Sequence, residues 1–216
     1  MEFAAFQSFF VVFGGKGSGD RVQGPGDRNF PELKSVQELT GSWTVQFDPK
    51  WGGPAQPVVF NDLSDWTAQS DPGIKYYSGI AVYRKVFAFP EPRTLNPVYL
   101  DLGTVHDMAR VRLNGQELGV VWCAPWRVEV TGVIKAGDNQ LEIEVVNRWA
   151  NRLIGDKQPA DANVRTVECP PGFFSGKKFK TGRYTYCTHD PFKPDSPLIP
   201  SGLLGPVSIF TAKEIK

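Results

Sequence analysis

The fold is decided by residues 98–149, which read VYLDLGTVHDMARVRLNGQELGVVWCAPWRVEVTGVIKAGDNQLEIEVVNRW. Within this stretch, two runs of alternating apolar residues, Met108–Leu113 and Gln116–Val121, flank Asn114 and Gly115. Asn-Gly between two such runs predicts a β-hairpin, because both central residues of a type I′ turn need a positive φ. Within residues 140–147, Leu141, Ile143 and Val145 alternate with Glu142 and Glu144, which predicts a strand with one face in a core. The stretch therefore predicts an antiparallel β-meander on which the rest of the chain packs.

Further strands are predicted on both sides of this meander. Apolar residues alternate with polar ones in residues 41–47, and residues 206–211 form a last strand. Residues 80–89 are mostly apolar and predict a long strand, with Ala81, Tyr83, Lys85 and Phe87 on one face. The 22 Gly and 18 Pro suit short strands with many turns, and no window shows a sustained helical period. We therefore predict an all-β fold, an antiparallel β-sandwich of the jelly-roll type. The residues predicted to lie in its core are Trp43, Phe47, Tyr83 and Phe87.

The N-terminal part of the chain reads differently from the rest. Residues 8–13 are apolar and predict a strand, whereas residues 14–29 are rich in glycine and charge and predict a linker. A helical turn around residues 35–39 is one interpretation of an ambiguous segment. We divide the chain into residues 1–34, a strand and linker left from an upstream domain, and residues 35–216, the β-sandwich. The N-terminus lacks the basic start and cleavage site of a signal peptide, so none is predicted in this chain.

Composition excludes several classes of protein. The 24 Lys and Arg balance the 23 Asp and Glu, so there is no electrostatic footprint for nucleic acid or an anionic membrane. No apolar run reaches the length of a membrane span. Three cysteines, Cys123, Cys169 and Cys187, fit no zinc site by their spacing. Cys169 and Cys187 are able to pair, and the sequence leaves that pairing open.

Two carboxylates are candidates for catalysis. Glu142 and Glu144 stand at positions i and i+2 of a predicted strand, about 7 Å apart on one face. A distance of about 7 Å between two carboxylates is in the range that an inverting glycosidase uses. The solvent face of an amphipathic strand explains the pattern better. Of the two residues, Glu144 is kept as a catalytic candidate. Asp195 lies in a long loop and is able to line a site, although it is an equally good turn residue beside its prolines.

Aromatic residues at strand ends and in loops indicate sugar binding. An exposed ring covers the apolar face of a pyranose, while neighbouring Asp, Asn or Arg side chains bind its hydroxyls. The alternative is that several of these rings plug the ends of the sandwich. The candidate carbohydrate-binding residues are Trp51, Tyr76, Trp122, Trp126, Asn147, Arg148, Trp149, Tyr186 and Asp195.

Several segments resemble a known family. The chain resembles the sugar-binding domain of glycoside hydrolase family 2 and, more closely, the C-terminal galactose-binding-like domain of family 106 α-L-rhamnosidases. The segments that carry the resemblance are SGIAVYRKVF (78–87), LDLGTVHDMARVRLNGQELGVVW (100–122), APWRVEVT (124–131), LEIEVVNRWANRLIGD (141–156) and SGLLGPVSIF (201–210). The most specific pieces are FDPKWGGP (47–54), NRLIGD (151–156) and DSPLIPSGLLGPV (195–207).

The resemblance implies an accessory role. In these families the catalytic residues lie in a separate barrel domain, so this chain is expected to be a non-catalytic carbohydrate-binding module rather than an enzyme by itself. A purely structural domain that supports a missing barrel and an independent glycoside hydrolase are the alternatives. In family 2 enzymes an Asp shortly before the S-G-[IL] segment reaches the active site of the barrel, and Asp195 has a similar place here.

The resemblance also implies partners and a possible ion. The expected partners are an oligo- or polysaccharide, from plant material, and the catalytic barrel of the parent enzyme. The parent is expected to be a bacterial enzyme that is secreted or periplasmic. Related sandwiches often hold a structural Ca²⁺, for which Asp48, Asp71 and Asp101 are candidate oxygen ligands, without a recognisable ligand spacing.

Overall fold

The computed structural model describes residues 33–90, 97–158 and 191–212, together with the two short strands Thr166–Val167 and Thr185–Tyr186. The strands in chain order are β1 Leu33–Glu38, β2 Trp43–Phe47, β3 Val58–Phe60, β4 Ile80–Phe89, β5 Val98–Asp101, β6 Thr104–His106, β7 Met108–Leu113, β8 Gln116–Val121, β9 Arg127–Glu129, β10 Gly137–Val146, β11 Thr166–Val167, β12 Thr185–Tyr186, β13 Gly202–Gly205 and β14 Ser208–Ala212. The helices are α1 Pro72–Lys75 and α2 Ala150–Gly155, with single 3-10 turns at Pro49–Trp51 and Trp66–Ala68. Within the described ranges, neither helix has the length or apolar composition that a membrane crossing requires.

Two antiparallel sheets form the body of the domain. The larger has the order β3-β2-β4-β10-β7-β8, and the smaller has the order β1-β14-β5-β9. β13 pairs with β6, and β11 pairs with β12. One apolar cluster contains inward residues of both sheets, among them Tyr83 and Ile143 from the larger sheet and Leu100 and Ile209 from the smaller. The predicted all-β sandwich is therefore confirmed.

The residues predicted to lie in the core are buried. Along β4, Ala81, Tyr83 and Phe87 are buried, while their outward neighbours are exposed or partly exposed. The predicted core residues Trp43 and Phe47 are also buried. Edge-to-face aromatic contacts join them to the rest of the core, such as Trp43 to Tyr83, with ring centroids 6.4 Å apart.

The hairpin between β7 and β8 has the turn that its sequence predicts. Asn114 has φ 53° and Gly115 has φ 82°, as a type I′ turn requires. The Asn114 side chain does more than tolerate this conformation: its Nδ2 donates to the Asn139 Oδ1 at 2.8 Å, and its Oδ1 accepts from the Gln140 N at 3.0 Å. The turn is therefore tied to the neighbouring strand β10.

Replacing Gly115 by valine should lower the free energy of unfolding by about 1–2 kcal/mol, because a β-branched residue resists a positive φ. A side chain at this position meets no atom within 4 Å, so backbone strain is the whole cost. Urea denaturation of the two proteins measures the difference. Gln116→Val is the control, since it adds valine to the adjacent exposed strand position. Equal stability of Gly115→Val and the parent would contradict the turn assignment.

One sequence prediction needs correction. Residues 35–39 do not form a helical turn, because β1 pairs with β14 at the edge of the smaller sheet, from Leu33 opposite Ala212 to Glu38 opposite Ser208. A register shift between Ser35 and Gln37 interrupts the alternation, which hides the strand from a pattern search. β1 also crosses the predicted division between residues 34 and 35. The strand predicted at residues 8–13 lies outside the described residues.

Candidate functional site

One end of the larger sheet collects three of the predicted aromatic residues. β2 and β10 finish at this end and β4 and β7 begin there, as the opposed pairs Phe47 and Ala81, Val146 and Ile80, and Val146 and Met108 show. β8 also finishes there, since Val121 lies opposite Ala109 of β7. The loops that leave β2, β10 and β8 at this end carry Trp51, Trp149 and Trp122 respectively. We call this region, with these three residues, the aromatic end of the sheet.

Trp51 and Trp149 form a pair at the aromatic end. Their ring centroids are 5.1 Å apart and their planes are inclined by 75°, an edge-to-face contact. The two residues keep 39% and 46% of their surface exposed, so ring surface remains accessible to a ligand. Trp51 closes a 3-10 turn that Asp48 caps, since the Lys50 N donates to the Asp48 Oδ1 at 2.9 Å. The cap fixes the loop that carries this ring.

Ser78 holds the backbone on both sides of Trp149. This buried hydroxyl donates to the Arg148 carbonyl oxygen at 2.8 Å and accepts from the Arg152 N at 3.2 Å. Asn147, also buried, accepts from the Gly79 N at 3.0 Å and donates to the Tyr77 carbonyl oxygen at 2.9 Å. Trp149 is therefore an exposed ring on a backbone that buried polar groups fix.

Helix α2 follows Trp149 and is anchored by polar groups rather than by apolar ones alone. Asn147 and Asn151 both donate to the Ser201 Oγ, each at 3.0 Å. The Arg152 Nε donates to the Asp156 Oδ1 at 2.7 Å, and both side chains of this ion pair are buried. These contacts dock α2 against the start of β13, so the position of Trp149 depends on residues distant in sequence.

Tyr77 connects the Trp51 loop to β4. Its hydroxyl donates to the Ile80 carbonyl oxygen at 2.8 Å and accepts from the Asp48 N at 3.0 Å. Burial raises the pKa of Tyr77 to about 12, so the hydroxyl keeps its proton for this bond even in alkaline solution where an exposed tyrosine ionises. The Tyr77 ring also packs on Phe47, with centroids 4.9 Å apart.

The aromatic end also carries a charged pair. The Arg148 Nε donates to the Asp107 Oδ2 at 2.9 Å at the same end of the sheet. The terminal amino groups of Arg148 make no hydrogen bond within the described part of the chain. The end of the sheet therefore combines accessible ring surface with unused guanidinium donors, and both are groups that bind sugars.

Comparison with known proteins identifies the family. Residues 62–182, more than half of the chain, match the family model described as glycosyl hydrolase 2 galactose-binding domain-like. The chain belongs to this family. The predicted resemblance to glycoside hydrolase sugar-binding domains is thus confirmed.

Individual relatives of this galactose-binding-like domain are much longer proteins. A Formosa agariphila protein named "Putative beta-glucuronidase" is 39% identical over 186 residues, 82% of this chain and 16% of the relative. The structure of a rhamnosidase from Novosphingobium sp. PP1Y matches with a TM-score of 0.71 and 33% identity, over 88% of this chain and 16% of that chain. A β-glucuronidase from Ruminococcus gnavus, in complex with C6-substituted uronic isofagomine, shares the fold with a TM-score of 0.54 and 20% identity, over 89% of this chain and 31% of that chain.

The other predicted sugar-binding residues have different surroundings in the galactose-binding-like domain. Asn147 is buried in the backbone clamp, and Trp126 packs against the core. Tyr76 lies against Gly155, where a Cβ would meet the Tyr76 Cβ at 2.4 Å. Asp195 is exposed in a turn beyond helix α2. The side chain of Tyr186 lies outside the described residues.

The three candidate calcium ligands have other partners. Asp48 caps the 3-10 turn, and Asp71 caps α1 by accepting from the Gly73 N at 2.7 Å. Asp101 accepts from the Arg127 Nη2 at 2.6 Å and from the Gly103 N at 2.8 Å. In the described ranges no group of three or more His, Cys, Asp or Glu side chains is arranged to hold a metal ion. Calcium binding stays a prediction.

Glu142 and Glu144 lie on the outer face of the larger sheet among arginines. The Arg112 Nη1 donates to the Oε1 atoms of both glutamates at 2.8 Å, and Arg84 and Arg110 each bind one of them. Hydrogen bonds to Glu142 and then to Glu144 raise the pKa of Arg112 above its ordinary value. The arrangement is a charged ladder across three strands, which agrees with the solvent-face interpretation of the pattern.

Sequence reasoning missed the residues that build the aromatic end. Ser78 and Asp107 have no motif of their own, although Ser78 lies in a segment that carries the family resemblance. Only the pairing of β7 with β10 brings Asp107 to Arg148. Cys123 is a free, half-buried thiol, while Cys169 and Cys187 lie outside the described residues, so their pairing stays a prediction.

Proposed function

We propose that this domain is a non-catalytic carbohydrate-binding module of a larger glycoside hydrolase. The observation that carries the proposal is the exposed pair of Trp51 and Trp149, held at 5.1 Å on a fixed backbone. A pyranose stacks on the accessible ring surface, and Arg148 and Asp107 bind its hydroxyls. An affinity in the micromolar to millimolar range suits one shallow site, about −4 to −8 kcal/mol.

The proposal places the chemistry in another part of the parent enzyme. The chain spans 16% of the relative and of the rhamnosidase that it matches, and both are named as glycosidases. The partner within the parent is a catalytic barrel, and the substrate is plant polysaccharide. Such a polymer does not enter a cell, so the parent enzyme is secreted or periplasmic.

Replacing Trp149 by alanine should weaken binding of the polysaccharide that the domain binds most tightly by about tenfold. Covering about 60 Å² of ring at about 25 cal/mol per Å² is worth about 1.5 kcal/mol, which is a factor of about ten in Kd. Isothermal calorimetry with rhamnogalacturonan, galactan, xylan and cellulose, with and without Ca²⁺, finds the polymer and measures the change.

Trp122→Ala is the matched control for this measurement. Trp122 is 70% exposed at the same end of the sheet but is outside the ring pair, so its removal should change Kd by less than about twofold. Equal losses of affinity in the two variants would mean that the ligand contacts the whole aromatic end of the sheet rather than the pair of Trp51 and Trp149. Binding that survives Trp149→Ala unchanged would refute the proposed site.

A purely structural role is the second candidate, and a specific observation favours it. Ile80, Val146 and Met108 face each other across three strands on the outer face, and Ile80 and Met108 are exposed. A row of exposed apolar residues is a common feature of surfaces that pack on another domain. No heat of binding with any polymer, in a sample shown to be folded, would favour this role. Hydrolysis of an aryl glycoside that is lost in Asp195→Ala or Glu144→Ala would instead favour an independent hydrolase.

A further inference from the structure

A groove crosses the outer face of the larger sheet, near the hairpin turn and away from the aromatic end. It has a volume of about 350 Å³, which is in the range of ligand sites. Thr44 and Arg84 line it from β2 and β4, and Gln140 and Arg112 line it from β10 and β7. Gly115 leaves one wall open, since a Cβ there meets no atom within 4 Å.

Arg84 is the best-placed cation of the groove. Its Nε donates to the Glu142 Oε2 at 2.8 Å, whereas its terminal amino groups make no hydrogen bond among the described residues. Its side chain is about half exposed. A guanidinium with two free parallel donors matches the geometry of a carboxylate or a sulfate.

Arg84 is also the cation that a ligand in the groove meets. Arg112 lines the groove too, but its Nη1 binds both Glu142 and Glu144 at 2.8 Å, so its charge is already paired. The Lys85 side chain lies on the opposite face of β4, where its Nζ donates to the Gly41 and Ser42 carbonyl oxygens at 3.0 and 2.9 Å. The half-exposed guanidinium of Arg84 therefore favours an anionic ligand over a neutral one.

The groove also has the features that bind a sugar ring. Thr44 and Gln140 are exposed, and neither side chain has a hydrogen-bond partner within the described residues. Val86 offers an exposed apolar wall. Polar donors spread across several strands, with an apolar wall beside them, suit an extended polyhydroxylated molecule rather than a compact ion.

We propose that this groove is a second binding site, for an oligosaccharide that carries a carboxylate or sulfate group. Arg84 binds the anionic group in a bidentate manner, and Thr44 and Gln140 bind hydroxyls of the same chain. The site is separate from the aromatic end and does not depend on sugar binding there.

Calorimetry with three ligands of similar length tests the proposal: trigalacturonate, a sulfated carrageenan tetrasaccharide and neutral galactotriose. We expect saturable binding of one or both anionic ligands, and a Kd at least about tenfold weaker for galactotriose. Arg84→Gln should weaken the anionic ligand about tenfold, the loss of one charge-assisted contact. Amide shifts of Thr44 and Gln140 in NMR titrations should follow the same binding curve.

Arg110→Gln is the matched control, because Arg110 belongs to the same ladder but does not line the groove. Arg110→Gln should change the Kd of the anionic ligand by less than about twofold, and Trp149→Ala should leave that Kd unchanged. Equal weakening by Arg84→Gln and Arg110→Gln would overturn the proposal, as would equal binding of galactotriose or no binding of either anionic ligand. If Trp149→Ala loses binding of the anionic ligand and Arg84→Gln does not, the proposal is also overturned, and a sugar site at the aromatic end is supported.

Discussion

Replacing Asp156 by alanine should lower the free energy of unfolding by about 3–5 kcal/mol. The Arg152 Nε donates to the Asp156 Oδ1 at 2.7 Å, and the two side chains are 2% and 0% exposed. When this carboxylate is removed, the Arg152 guanidinium stays buried. The free-energy cost of its desolvation is then no longer offset by the attraction to Asp156. Urea denaturation at constant pH, followed by tryptophan fluorescence, measures the loss.

Asp107→Ala is the control for the buried pair. It breaks an ion pair of similar geometry, Arg148 with Asp107 at 2.9 Å, but those side chains are 61% and 32% exposed. An exposed pair contributes about 0–1 kcal/mol, because water already solvates both charges. Similar small losses in the two variants would show that Arg152 and Asp156 are not buried as described. Similar large losses would mean that the exposed pair also supports the fold.

Replacing Gly103 by alanine should destabilise the domain by a comparable amount, about 3–5 kcal/mol, from strain and overpacking together. Gly103 has φ +69°, and a Cβ there would lie 2.3 Å from both the carbonyl carbon and the carbonyl oxygen of Gly205. The opposing atoms are backbone, so no rotamer change relieves the contact. Thermal unfolding followed by circular dichroism measures the effect.

Gly132→Ala separates strain from contact. Gly132 has φ +76°, and a Cβ there meets no atom within 4 Å. It should cost only the strain of a positive φ, about 1–2 kcal/mol. A difference of about 2 kcal/mol between the two variants is the contribution of the Gly103 and Gly205 contact. If Gly103→Ala destabilises the domain no more than Gly132→Ala does, the backbones of Gly103 and Gly205 do not approach each other as closely as described.

The strands that alternate regularly were predictable, and the ones that do not were missed. β7 and β8 have the predicted bounds, because alternation and an Asn-Gly turn are local properties of the chain. β10 begins at Gly137 rather than at residue 140, since pairing with β4 extends the strand into residues with turn chemistry. β1, the edge strand of the smaller sheet, was hidden by the register shift in its pairing with β14.

Helix α2 shows why part of the site was out of reach for sequence reasoning. It spans Ala150–Gly155, too short for a helical period to be visible. Its stability comes from Asn151, which bonds the Ser201 hydroxyl and the Ile199 backbone, and from the pair of Arg152 with Asp156. Ile199 and Ser201 are distant in sequence, so no local pattern indicates this helix.

The sequence by itself determined the all-β class, the hairpin, the buried face of β4 and the family to which the domain belongs. These features depend on side-chain periodicity, turn conformation and segment similarity, all of which are local. Only the tertiary structure decided that Trp51 and Trp149 form a pair, that Asn147 is a buried clamp and that Glu144 belongs to an arginine ladder. Those outcomes depend on which strands become neighbours, because strand order brings together side chains whose spacing along the chain carries no signal.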